Sequence, residues 1–281
     1  MDERRRTSLW EDVVRSVLRV RGPDTPRNRV LRITDTLWLH LHPAKVRRHG
    51  LSFGYTWGAG GISFLCFLVT VVTGVLLMFV YRPTVEHAYV DLKALDFDVR
   101  FGMLNRNLHR WSAHLMVIMV WLHMLRVFLT GSYKGRRRFN WVVGVVLLVL
   151  TMLLSFTGYL LPWDQLSMWA VTVGTNMAAA APFIGHEGPF SEWTGVTEQN
   201  DVRALLLGDG QVGAAALLRF YVLHCILLPL LLAFGAALHF WRVRTDGGIS
   251  GPPEPAEAAE PSARPTAGAA SGEPAPPKEP G

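Results

Sequence analysis

The chain has 281 residues, half of them hydrophobic, with two cysteines and a formal net charge of +6. A mean hydropathy of +0.23 is high for a soluble domain and natural for a few membrane spans with polar ends, and the apolar spans argue against nucleic acid as the partner of the basic charge. Cys66 and Cys225 lie far apart inside apolar segments, a pattern that suggests neither a disulfide framework nor a zinc site.

The N-terminus, MDERRRTSLWEDVVRSVLRVRG, lacks the apolar core and cleavage site of a signal peptide and is expected to stay on the mature protein. Residues 1–50 contain two amphipathic candidates, SLWEDVVRSVL and, after the breaker GPDTP, NRVLRITDTLWLHLH. Both alternate apolar residues with charges at helical intervals, which suits a cytoplasmic-side arm lying in the membrane interface. His40 and His42 read as interfacial polar residues.

Four apolar segments follow, each long enough to cross a bilayer. The first runs from about Trp57 to Tyr81, and a connection over 82–104 carries Glu86, Asp91, Asp96 and Asp98. The second occupies 105–131 and leads into SYKGRRRFNW. The third spans about Trp141 to Leu161 and stops at Pro162. A long connection, 164–216, is acidic at 164, 187, 192, 198, 201 and 209 with Arg203 as its one basic residue, and the fourth span covers 217–244. From Gly251 onward Pro, Ala, Gly and Glu dominate without an apolar period, which predicts a disordered tail over 251–281.

Basic residues collect on the cytoplasmic side of membrane proteins. The N-terminal arm, Lys134, Arg136, Arg137 and Arg138 after the second span, and Arg242 and Arg244 at the end of the fourth are therefore expected inside, with both termini cytoplasmic. The second and fourth spans then run in one direction, and the first and third in the other.

Ionisable side chains are costly at membrane depth, so the intramembrane histidines need a reason. His109 and His123 are fourteen residues apart, on nearly one helix face and about 21 Å apart along the axis. His224 and His239 are fifteen apart, about 60° past four full turns, and again near one face. His114 lies about 140° round from His109 and reads as a packing residue. Chain direction sets His109 level with His224 near the outer side and His123 level with His239 near the inner. Gly60 and Gly74, and Gly144 and Gly158, repeat the fourteen-residue interval in the other two spans, with Gly74 and Gly158 at the outer level and Gly60 and Gly144 at the inner. Glycines in membrane helices also permit close packing. The shared interval is better met by a flat, wide object at each of two levels, with histidines on two sides and missing side chains on the others: two haems stacked in a four-helix bundle.

HRWSAHL with HMLRVFLTGSYK, TGYLLPWDQ, and RFYVLH with HFWRVRTDGGISGP resemble cytochrome b of the quinol-oxidising bc complexes, particularly the short form, cytochrome b6, over residues 52–252. The resemblance implies an all-α four-helix membrane domain over 51–250 with two non-covalent b haems, one held by His109 and His224, the other by His123 and His239. It implies that Arg106, Arg110 and Arg126 meet haem propionates. It implies a subunit of a proton-translocating quinol:cytochrome c (or similar acceptor) oxidoreductase that carries electrons from an outer quinol-oxidation site to an inner quinone-reduction site. Partners follow from the same source: a Rieske iron–sulfur protein, a separate subunit with the remaining helices and their PEWY loop, a c-type cytochrome, and a second copy of the complex. With no PEWY in this chain, only one wall of the outer site is expected here, over 164–176, with Trp163, Asp164, Trp169 and Ala170 as its candidates; Arg244 falls where the family has basic residues at the inner site. Two positions depart from the pattern. Gly58 stands where chloroplast-type b6 has a cysteine that attaches a further haem, and no CxxCH run occurs, so no covalent haem is expected. Ala170 stands where the bc1 form has glycine, and its methyl is expected to crowd inhibitors that pack there. A bacterial inner membrane is the expected location. One rival, a b-type anchor of another quinone-linked enzyme, would require neither TGYLLPWDQ nor the paired glycines, and a second, a haem-free scaffold or channel, would have the histidines as packing residues.

Overall fold

The computed structural model describes residues 25, 50, 52–246 and 248–249. The N-terminal arm, apart from two residues, and the tail from 251 lie outside the described residues. Among those described, every regular element is helical.

Four helices are long and apolar enough to cross a membrane. They are α1 (Ala59–Met78), α3 (Gly102–Leu129), α4 (Arg138–Leu160) and a composite fourth span over Ala214–Thr245. Each lies within three residues of the sequence-based bounds at either end. The fourth span is α7 (Ala214–Val222), a π-helical turn over Leu223–Leu227, and α8 (Leu228–Thr245). Pro229, in the first turn of α8, has no N–H to offer the preceding turn, a local reason for the regular α-helical ladder to break there. A π turn takes up one extra residue. The fifteen-residue interval from His224 to His239 thereby becomes equivalent to the fourteen of His109 to His123.

The connections contain helices that hydrophobic periodicity did not announce: α2 (Ala88–Phe97) between the first two spans, and α5 (Gln165–Ala179) and α6 (Val202–Leu207) between the last two. Two of them start at side-chain caps. Asp164 accepts from Ser167 N–H at 2.8 Å, and Asp201 accepts from Ala204 N–H at 2.7 Å.

Packing is uneven. α1 lies along α3, and α8 along α4, more extensively than α3 touches α4. The bundle is thus two helix pairs, each joining a glycine-bearing helix to a histidine-bearing one. The largest buried apolar cluster is at the end of the bundle nearer His109 and His224, where Leu160, Trp163, Val171, Leu207, Leu217 and Phe220 meet. Tyr81 OH donates to Leu161 O at 2.6 Å and ties the end of the first span to the end of the third. A second cluster, Leu154, Leu228 and Leu232, lies between the two histidine levels. Most of each span's surface faces outward, where lipid or other subunits would cover it.

Candidate functional site

The two levels form where the helix pairs meet. His109 of α3 faces His224 with ring centres 6.3 Å apart and planes at 72°. His123 of α3 faces His239 of α8 at 6.2 Å and 80°. A metal bonded at about 2.0 Å to one nitrogen of each ring, with each ring centre about 1 Å further out, separates the centres by about 6 Å. Both gaps match that separation. Among the described residues no group of three or more His, Cys, Asp or Glu side chains converges on a metal position. Two imidazoles therefore leave the other coordination positions to a ligand the protein does not supply, which fits the planar ring of a haem held from both faces.

Each glycine lies against the histidine of the level that chain direction assigns to it. A Cβ on Gly74 would sit 3.1 Å from His109 Cε1, and on Gly158 2.6 Å from His224 Cε1. On Gly60 it would sit 3.3 Å from His123 Cε1, and on Gly144 3.6 Å from Met124 Sδ and 3.9 Å from His239 Cε1. The missing side chains clear room first for the imidazoles, whose Cε1 edges approach the glycines of the neighbouring helix.

The outer histidines carry a further contact. Thr73 Oγ1 is 2.9 Å from His109 Nδ1, and Thr157 Oγ1 is 3.2 Å from His224 Nδ1. Metal-ligating histidines are commonly oriented through the nitrogen that does not bind the metal. Sequence reading missed both threonines, although each immediately precedes one of the marked glycines. His114 stands apart, beside the Trp111 ring.

The three arginines expected near propionates have different surroundings. Arg126 is buried one turn from His123; its Nε donates to Tyr55 O at 3.1 Å, and its guanidinium lies 4.4 Å from the Tyr55 ring centre. Its Nη2 is buried without a hydrogen-bond partner, an unmet donor that fits a carboxylate beside the inner pair. Arg106 is ion-paired with Asp96 of α2, and Arg110 is exposed over the Trp111 ring.

One cavity adjoins the inner level, and a shallower one lies beyond the end of the third span. The inner one, of about 110 Å³, is lined by residues that include His123, Arg126, Asn140, His239 and Asp246. Asn140 Oδ1 and Asp246 Oδ2 are buried without partners, and Asp246 also pairs with Arg242 at 2.8 Å. Arg244 is half-buried on the last turn of α8 and does not line this cavity. An outer cavity of about 450 Å³ is lined by Tyr89, Trp163, Asp164, Gln165 and Leu166. Trp163 and Asp164 of the expected outer wall are therefore on it, whereas Trp169 points out exposed and Ala170 packs on the outer core cluster. Trp163 holds φ 52°, a left-handed conformation costly for a bulky residue, directly at this cavity.

A profile of the family described as cytochrome b/b6/petB matches residues 49–247. Cytochrome b6 of Euglena gracilis is 45% identical over 193 residues, which are 69% of this chain and 83% of that protein. Among solved structures, a chain of a hyperthermophilic respiratory complex III superposes with a TM-score of 0.62 at 27% identity. That alignment covers 79% of this chain and 54% of the other, so this chain spans about half the length of its solved relative.

Proposed function

The chain belongs to the cytochrome b/b6 family, and from that premise we propose that it is the di-haem membrane subunit of a multi-subunit quinol oxidoreductase. One observation carries the proposal: two facing histidine pairs at 6.3 and 6.2 Å, on helices that present both pairs with matched spacing. His109 and His224 would hold the outer b haem, and His123 and His239 the inner, without covalent attachment. Gly60, Gly74, Gly144 and Gly158 leave room for the ligand rings, and Arg126 offers its free Nη2 to an inner propionate. Bound there, the haems supply one-electron carriers at two depths of the bilayer.

The residues around them would do the rest. The leucine cluster between the levels excludes water and fixes their separation. On the outer side, Trp163 and Asp164 provide part of a wall against which a quinol could be oxidised, with the remaining wall, PEWY loop included, supplied by a separate subunit. At the inner side, Asn140 and Asp246, whose buried oxygens have no partner, would face the quinone that is reduced, with Arg244 nearby on the same helix end. A Rieske protein and a c-type cytochrome would accept electrons outside, the complex would be a dimer, and the chain would sit in a bacterial inner membrane with both termini inside. The basic residues Lys134, Arg137 and Arg138 after α3 support that orientation.

A pyridine haemochrome assay on the purified complex tests this reading. Two b haems per chain, all extracted by acid acetone, are expected. A colourless chain, or haem retained after extraction, contradicts it.

A further inference from the structure

The outer and inner histidine pairs differ in one chemical respect. Thr73 and Thr157 each place Oγ1 beside the Nδ1 of an outer histidine, and each hydroxyl also reaches a carbonyl one turn back, Val69 O at 2.6 Å and Leu153 O at 2.8 Å. A hydroxyl has one proton. With that proton donated to the carbonyl, the oxygen accepts from Nδ1–H, and Nε2 is left as a bare lone pair for the iron. At the inner level the residues preceding the glycines are Ala59 and Val143, which have no hydroxyl. His239 Nδ1 is buried and unpartnered there.

We propose that Thr73 and Thr157 are positioning residues that lower the midpoint potential of the outer site, by accepting hydrogen bonds from both outer ligands. The proposal rests on the bis-histidine haem reading above. A hydrogen bond accepted from Nδ1–H makes an imidazole a stronger donor to its metal, which favours ferric over ferrous iron and lowers the midpoint potential. The hydroxyl-to-carbonyl bond behind it polarises the chain in the same direction. With haems bound, hydroxyls beside the outer ligands would lower the outer midpoint without acting on the inner one.

Redox potentiometry of the purified complex, resolved at each haem's α-band, tests this in both directions. A Thr73→Val/Thr157→Val double variant keeps the branched shapes and removes both hydroxyls; its outer midpoint should rise while the inner one stays fixed. Serine at the same two positions should restore the outer value. Val143→Thr gives His239 the hydroxyl that His224 has, and the inner midpoint should fall while the outer stays fixed. A level-specific shift of the stated sign in either arm supports the proposal, and if the valine variant loses its outer haem, the serine and Val143→Thr variants decide. Potentials unchanged in both arms, or moving equally at both levels, overturn it. A wild-type complex without two haems would instead defeat the ligand reading, and this proposal with it, so the two failures are told apart by the haem count.

Discussion

A methyl group on Gly158 would sit 2.6 Å from His224 Cε1, a distance that real Cβ atoms do not show, whereas one on Gly144 would make only ordinary contacts at 3.6 and 3.9 Å. Alanine substitution should therefore be graded: Gly158→Ala should cost about 1–3 kcal/mol as overpacking and deplete the outer haem, while Gly144→Ala should retain the inner one. Haem stoichiometry of the two variants checks the order, and equal loss would show that the glycines act through helix packing alone. The arginines divide in the same way. Arg126→Gln should weaken retention of the inner haem, because a buried donor without a partner beside the inner pair is removed, and Arg106→Gln should spare both haems, because its partner is Asp96. The histidines and glycines were legible in the sequence because spacing is a property of the chain itself. The surroundings of Arg106, the cavity-lining Asn140 and Asp246, and the threonine hydroxyls were not, because no period marks a residue whose partner is chosen by tertiary placement.

At the scale of elements, all four spans were legible because an uninterrupted apolar run of bilayer length is rarely anything but a membrane helix. The π turn was foreshadowed only as a fifteenth residue in a fourteen-residue interval, and its reason became visible once the helix was seen to widen beside Pro229. The helices α2, α5 and α6 escaped because short helices in polar connections depend on caps and tertiary contacts more than on amphipathic period. Their charged anchors predict an acid response. The Arg82 guanidinium, bonded to Asp91, holds that carboxyl below the usual carboxylate range. Burial would raise Asp201, but bonds from Ala204 N–H and His186, the latter at 2.6 Å, bring it below its ordinary value. A carboxylate depressed in the folded state stabilises fully above its unfolded pKa of about 3.9 and loses that contribution as pH falls through the folded value. Protection factors in α6, corrected for the intrinsic pH dependence of amide exchange, should therefore be flat from neutral pH down to about 4 and fall below it. Asp201→Ala should cost about 1 kcal/mol of cap stability and accelerate exchange at neutral pH as well; an unchanged α6 would contradict the role given to the cap.

The described residues form two helix pairs with cofactor-sized gaps between them, one well-packed end and spans whose outward faces remain largely uncovered. Such a bundle should need its haems for its own cohesion, since the pairs touch each other less than the helices within each pair. Haem depletion should lower the thermal midpoint of the detergent-solubilised chain, and a midpoint indifferent to haem content would contradict this. The chain alone should also fail to oxidise quinol until the subunit that completes the outer cavity is present, as reconstitution with and without that subunit would show. The most direct test of the central claim is the haem count of single-ligand variants, His224→Ala and His123→Ala, against wild type in the assembled complex. Two b haems falling to about one in each variant, with a different α-band lost from each, is the predicted result. Both haems surviving either substitution, or the same band vanishing from both variants, would contradict ligation at two levels.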